Sequence, residues 1–218
     1  MSRPKLVIFD CDGVLVDTEP LANRRLSAWL TEAGYPVSYE DCRRQFVGRS
    51  LTSVQKEVEA TGASLGPDFV ERWYRELPGL FASGVRAIPH IETFVGAVQS
   101  AGIAYCVASS ARIEKMHLTL GQTGLLTHFR DVLFSATMVE RGKPFPDLFL
   151  HAAGMMGVEP SDCIVVEDSV AGAQAGRAAG MRVFGYHGDP HADRDGLEAS
   201  GATLFDDMRR LAGLVPIA

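Results

Sequence analysis

The sequence predicts an α/β protein: a parallel sheet covered by helices on both faces, interrupted by an all-helical insertion. Three observations carry this. From Ile88 onward, short apolar runs alternate with helix-length segments, the pattern of a parallel sheet with right-handed crossovers. From Glu19 to about Arg86 the signals are mostly helical and no convincing strand appears. A single β-rich run, Lys5 to Phe9, stands before that stretch and ends in Asp10-Cys11-Asp12-Gly13. The expected organisation is a core of 1–17 and 87–218, with a helical-bundle cap at 18–86.

In order along the chain, Lys5 to Phe9 reads as a buried parallel strand feeding a loop. Leu21, Leu26, Trp29 and Leu30 recur near helical spacing, and Gly34 can stop that helix. Ser38 and Ser50 are candidate N-caps, and Pro67 sits near the start of a fourth helix. Further on, helices are expected at Ile91–Ala101, Ile113–Leu120, Pro146–Met156, Ala171–Ala179 and Asp206–Leu214. Strands are expected at Ala104–Ala108, Val132–Phe134, Cys163–Val166, Arg182–Gly185 and Thr203–Phe205. Open α/β sheets bind ligands beyond the carboxyl ends of their strands. An insertion leaving from that edge would stand over the site as a lid.

Composition narrows the function. The 218 residues are 46% hydrophobic, enough for one good core and a smaller second unit. A net charge of -6 disfavours nucleic acid as a partner. The four cysteines, Cys11, Cys42, Cys106 and Cys163, show no metal-finger or C-x-x-C spacing and read as buried reduced thiols. The first apolar run is too short for a signal peptide and no stretch approaches the ~20 residues that span a bilayer. A cytoplasmic protein is expected, a monomer with no membrane partner.

Four patterns fall at the ends of predicted strands. Asp10 and Asp12 suit a metal or an acid/base pair, and Gly13 lets the chain turn after them. A calcium loop fails on spacing, and a solvated turn remains an alternative for this motif alone. Glu167-Asp168-Ser169 follows an apolar strand, where adjacent acids are costly unless a cation compensates. Four carboxylates on one edge call for a hard divalent ion, Mg²⁺. Ser109-Ser110 offers hydroxyls and turn amides to phosphate oxygens, although serines commonly end strands. Gly142-Lys143-Pro144 is no Walker loop, yet Lys143 can neutralise a phosphate as a point charge. Together these form the inventory for phosphoryl transfer through a carboxyl-phosphate.

These motifs resemble those of the haloacid dehalogenase superfamily, in its sugar-phosphatase and β-phosphoglucomutase-like branch. Phe9-Asp10-Cys11-Asp12-Gly13-Val14-Leu15-Val16-Asp17-Thr18 matches the first family motif, and Ala108-Ser109-Ser110 the second. Gly142-Lys143-Pro144-Phe145-Pro146-Asp147 matches the third. Glu167-Asp168-Ser169, Gly172 and Ala178-Ala179-Gly180-Met181 match the fourth. The resemblance covers essentially the whole chain and implies a Rossmann-like core with a helical cap. It implies Asp10 as nucleophile and Mg²⁺ ligand, and Asp12 as acid/base with its backbone carbonyl on the metal. It further implies Asp168 on Mg²⁺ with Glu167 beside it, and Ser109 and Lys143 on the phosphoryl group. Within the family the chain looks closest to bacterial phosphatases of sugar-acid phosphates such as 6-phosphogluconate.

A dehalogenase is disfavoured because Asp12 is present. A mutase of this branch carries a cap histidine ten residues beyond the second acid, where this chain has Ala22. A non-catalytic phosphate-binding protein is the third reading, and the intact set Asp10, Asp12, Lys143 and Asp168 argues against it. In the cap, Arg49 after Gly48 is a candidate substrate contact, beside the alternative of a solvated or intra-cap salt-bridging arginine. Arg24, Arg25, Arg43, Arg44, Arg72 and Arg75 are expected on the surface, and His187 and His191 in a solvated loop. His90 stands where relatives often have glycine after proline.

Overall fold

The computed structural model describes residues 2–217, so residues 1 and 218 of the expected core lie outside the described residues. The elements in chain order are β1 (Leu6–Phe9), β2 (Val16–Asp17), α1 (Glu19–Glu32), α2 (Tyr39–Phe46), α3 (Leu51–Glu59), α4 (Phe69–Leu80) and β3 (Arg86–Ala87). They continue with α5 (Ile91–Ser100), β4 (Ala104–Ser109), α6 (Ile113–Thr123), α7 (Leu126–Phe129), β5 (Leu133–Ser135) and α8 (Asp147–Met155). The last are β6 (Cys163–Glu167), α9 (Val170–Ala178), β7 (Arg182–Tyr186), α10 (Arg194–Ala199), β8 (Thr203–Phe205) and α11 (Met208–Leu214).

Six strands form one sheet in the order β5-β4-β1-β6-β7-β8, and every pair is parallel. Alternate residues of each strand feed two apolar layers. Val7, Phe9, Val107, Ile164 and Val166 pack with Phe94, Val98, Met116 and Leu211 on one face. Leu6, Ile8, Cys106, Cys163 and Val165 pack with Leu148, Phe149, Ala173 and Leu197 on the other. Burial on both faces explains why the strands read as continuous apolar runs.

Helices α1 to α4 carry a third apolar cluster of their own, built from Leu26, Trp29, Leu30, Phe46, Val58, Phe69, Trp73 and Phe81. Ser38 and Ser50 cap α2 and α3 as expected, their hydroxyls accepting from Asp41 N–H and Ser53 N–H. Leu21 departs from the helical apolar stripe and is exposed. Arg43 corrects the surface assignment. Its side chain is only 4% exposed, bonds Asp189 at 3.0 Å and lies beside Tyr39, because α2 packs against the loop after β7. Among the described residues no helix is long and apolar enough to cross a membrane. All four cysteines are free and buried.

Four other short elements leave no legible signal in the sequence. β2 and β3 pair antiparallel where the chain enters and leaves the helical insertion. At two residues each they are too short to show alternation. The short helices α7 and α10 were likewise not anticipated.

His90 is the one non-glycine with positive φ among the described residues, at φ 68°. It caps α5 with an exposed side chain. Left-handed backbone costs an L-residue roughly 1–2 kcal/mol, less for histidine than for branched residues. That is the physical reason glycine suits this position. His90→Gly is expected to stabilise the protein by about 0.5–1 kcal/mol. The check is an upward shift in thermal midpoint of roughly 1–4 °C.

Candidate active site

From β1 the chain runs outward through β4 and β5, and from β6 through β7 and β8. The crevice between β1 and β6 is therefore the point where strand order reverses, the general ligand site of open α/β sheets. Asp10 follows β1, its N–H bonded to Val166 O of β6 at 2.9 Å. Glu167 ends β6, and Asp168 follows it. Gly13 turns the chain back at φ 78°, and a Cβ there would strike the Asp168 carboxylate. Ser109 ends β4. Lys143 comes from the loop between β5 and α8.

Lys143 is fully buried and donates to Asp10 Oδ1 and to Glu167 Oε1, each at 2.5 Å. The second Glu167 oxygen accepts from the N–H groups of Asp168 and Ser169 at 3.0 and 2.9 Å, and from Ser169 Oγ at 2.8 Å. Gly172 in the first turn of α9 lies so close that a Cβ would occupy the Glu167 carboxylate. The helix start thus abuts a buried anion, a favourable placement for both. Asp10, Glu167 and Asp168 each offer an oxygen within 4.8 Å of the others. Asp12 is held differently. Thr18 donates to its Oδ1 at 2.5 Å and Lys115 Nζ lies 2.8 Å from its Oδ2.

Burial pushes the Asp10 carboxyl up to about 8; Lys143 opposes this, while Glu167 and Asp12 reinforce it. Asp168 is pushed well above the carboxylate range by burial and then by Glu167, Glu19 and Asp10. Burial disfavours the Lys143 ammonium, but Asp10 and Glu167 outweigh it and raise its pKa. One ammonium therefore leaves this edge with surplus negative charge. An all-carboxylate donor set with surplus charge fits a hard divalent cation.

Ser109 is buried and its Oγ accepts from Ala111 N–H at 3.1 Å, which fixes the turn after β4. Ser110 donates to Gly48 O at 2.7 Å, tying this edge to the loop between α2 and α3. Arg49 lines the same cavity as Asp10, Asp12, Ser109 and Ser110. Its guanidinium is bonded to Glu57 at 2.6 Å and Ser53 at 2.9 Å. The structure thus gathers Asp10, Asp12, Ser109, Ser110, Lys143, Glu167 and Asp168 at one edge and puts Arg49 on the wall facing them.

Sequence reasoning missed Lys115, Thr18, Glu19 and Asn23, which also line or brace this cavity. Lys115 left a readable signal. It sits in the first turn of α6, where the helix dipole disfavours a cation unless an anion faces it. Glu19 and Asn23 left none, since one turn of an amphipathic helix routinely carries such a pair.

Comparison with known proteins agrees with this arrangement. Residues 4–180 match the family model described as haloacid dehalogenase-like hydrolase. The chain is 38% identical over 193 residues to the 6-phosphogluconate phosphatase of Escherichia coli K12, covering 88% of this chain and 86% of that protein. It is 33% identical over 180 residues to a fructose-1-phosphate phosphatase of the same organism, covering 80% and 92%. A haloacid dehalogenase family hydrolase from Deinococcus radiodurans, solved with phosphate and sodium, superposes with a TM-score of 0.74 at 29% identity, covering 100% and 97%.

Proposed function

The chain belongs to the haloacid dehalogenase-like hydrolases and is a phosphoric monoester hydrolase; from that premise we propose that it hydrolyses a small sugar or sugar-acid phosphate through an aspartyl-phosphate on Asp10, with Mg²⁺ as its metal. The single observation that carries the reading is the Asp10–Lys143–Glu167 cluster beside Asp168 at the switch point. Residues 18–86 form the cap in this reading, and 1–17 with 87–218 the catalytic core.

The carboxylates would hold Mg²⁺ as follows: Asp10 and Asp168 directly, Glu167 directly or through water, and the Asp12 backbone carbonyl. Bound there, the ion supplies the positive charge that lets an anionic nucleophile approach a phosphate dianion. Asp10 attacks phosphorus, and the bond from phosphorus to the alcohol oxygen breaks. Asp12 gives that oxygen its proton. The same carboxylate then takes a proton from water, which attacks the phosphoryl group and regenerates Asp10. Lys143 and Ser109 hold the phosphoryl oxygens, and Thr18 and Lys115 hold Asp12 in place. The cap excludes bulk water. Ala22 lines the cavity near Asp12, and its methyl group has no proton to shuttle, which favours hydrolysis over mutase chemistry.

The test is inorganic phosphate release from a panel of esters, including 6-phosphogluconate and fructose 1-phosphate, with and without EDTA. The expected result is turnover of sugar esters that EDTA abolishes and Mg²⁺ restores. A product that stays phosphorylated, with activation by a sugar bisphosphate, identifies a mutase instead. Tight binding without turnover on every ester removes the catalytic reading.

The same cluster fixes a pH dependence of stability. In the unfolded chain these carboxyls titrate near 4. Folding raises Asp10 to about 8 and Glu19 to about 7, in each case through burial first. The folded state therefore holds protons that the unfolded state has lost, and stability falls as pH rises through this window. The carboxyls lowered by arginine partners, Glu71, Asp147 and Asp207, change charge below it. In EDTA the thermal midpoint is expected to be lower at pH 8.5 than at pH 5.5, and Mg²⁺ to raise it more at pH 8.5. A midpoint that is flat or rising with pH in EDTA would contradict this.

A further inference from the structure

Next to Asp12, on the side away from Lys143, the cavity wall is made by Glu19, Asn23, Trp73, Tyr74 and Lys115. Glu19 and Asn23 stand one turn apart on α1 and are 9% and 5% exposed. The Asn23 amide nitrogen donates to Glu19 O at 3.0 Å and also to the Glu19 carboxylate. Both of its N–H groups are therefore committed, which fixes the amide orientation. Asn23 Oδ1 has no protein donor among the described residues, and it is not among the sealed, unpartnered polar atoms. It is an oriented acceptor open to the cavity. An oriented acceptor on a residue only 5% exposed offers a ligand hydroxyl a hydrogen bond that an apolar substituent cannot make.

Charge decides which donor. Above pH 7, where Glu19 has lost its proton, the wall carries two carboxylates, Asp12 and Glu19, against the one ammonium of Lys115. A second anionic group of the substrate is repelled here, whereas a neutral hydroxyl can donate to Asn23 and accept from Lys115. Trp73 belongs to the apolar part of the same lining.

We propose that Asn23, its amide pinned by Glu19, is the specificity-determining residue for the leaving alcohol: it accepts a hydrogen bond from a substrate hydroxyl and selects phosphate monoesters of polyhydroxylated alcohols. This rests on the phosphatase reading and narrows its substrate class. The carboxylate of any sugar-acid substrate lies away from this wall.

The experiment compares kcat/KM for sorbitol 6-phosphate, which has neutral hydroxyls, with that for p-nitrophenyl phosphate, which has none on its leaving group. It uses the full chain with Mg²⁺ and the variants Asn23→Leu and Asn23→Ala. Leucine keeps the volume, and alanine is the residue a helix interior accepts most readily. The ratio of the two kcat/KM values is expected to fall by about tenfold or more in both variants, because a site that hydrogen-bonds a substrate hydroxyl loses discrimination when that partner goes. A ratio within twofold of the unsubstituted enzyme in both variants overturns the proposal. Unsubstituted enzyme that cleaves p-nitrophenyl phosphate but not the polyol ester also overturns it, while leaving the phosphatase reading intact. Failure to cleave either ester, or any other of the panel, overturns the phosphatase reading and this inference with it.

Discussion

Asp10→Asn is expected to lower kcat by on the order of 10⁴-fold or more, the scale seen when a covalent nucleophile is removed. Asparagine has the volume of aspartate and keeps an oxygen that can accept from Lys143, so the contact at 2.5 Å can persist in form. What disappears is the anionic oxygen that attacks phosphorus. The fold should survive, because the substitution also removes a carboxyl that burial already holds near 8. Two measurements separate chemistry from folding. Steady-state phosphate release should vanish while the thermal midpoint in EDTA stays level or rises. Acid quenching during turnover should trap protein-bound phosphate in the unsubstituted enzyme and none in the variant. Residual turnover above about 1% would remove Asp10 from the nucleophile role, since a retained 10⁻² exceeds what binding and positioning alone leave behind.

Why Asp10 could be picked out from sequence, and Asn23 could not, follows from how each is placed. Asp10 and Glu167 end strands that are buried on both faces. Such strands are legible as apolar runs, so the residue that breaks each run marks the sheet edge. Parallel pairing of β1 with β6 in register, Phe9 opposite Val166, then brings the breaking residues together. The six-stranded architecture was readable for the same reason. Spatial order was less accessible, because the position of β1 between β4 and β6 depends on crossovers rather than on any one residue. Polar positions on helices are read poorly for the opposite reason. Asn23, Arg43 and Lys115 are polar residues on helices, where a polar position normally means solvent. Only tertiary contact shows that Arg43 is buried against Asp189. A cation in the first turn of α6 signals that Lys115 needs a facing anion, without identifying it as Asp12. Arg49 meets both readings the sequence offers: it lines the cavity, and its guanidinium is salt-bridged within the helical insertion to Glu57.

Lys143→Met should damage the fold and the chemistry together, and the two losses have one electrostatic cause. The ammonium is the hydrogen-bonded counter-charge shared by Asp10 and Glu167, and both carboxylates are buried. Methionine fills similar space beside Phe149, whose ring the ammonium now faces at 5.1 Å, so the loss is one of charge rather than of volume. Removing one partner of a buried ion pair costs about 3–5 kcal/mol, because the remaining charge is left uncompensated. For a chain of this size that corresponds to a midpoint lower by roughly 6–20 °C. The loss should be larger at pH 8.5, where Asp10 must ionise or hold its proton against the solvent, than at pH 5.5, and should shrink when Mg²⁺ supplies replacement charge. A second substitution makes the cause testable. Glu167→Gln in the Lys143→Met background removes one of the stranded carboxylates, so the double variant should be more stable than Lys143→Met alone. Such non-additivity is the mark of two groups acting as one unit. Activity should not return with stability: the double variant still lacks the cation that holds the phosphoryl group, and kcat/KM should stay down by on the order of 10³-fold, the scale of losing one preorganised charge contact. A double variant no more stable than the single one would mean that Lys143 supports the fold by packing, and the argument that surplus negative charge organises this edge would fail with it.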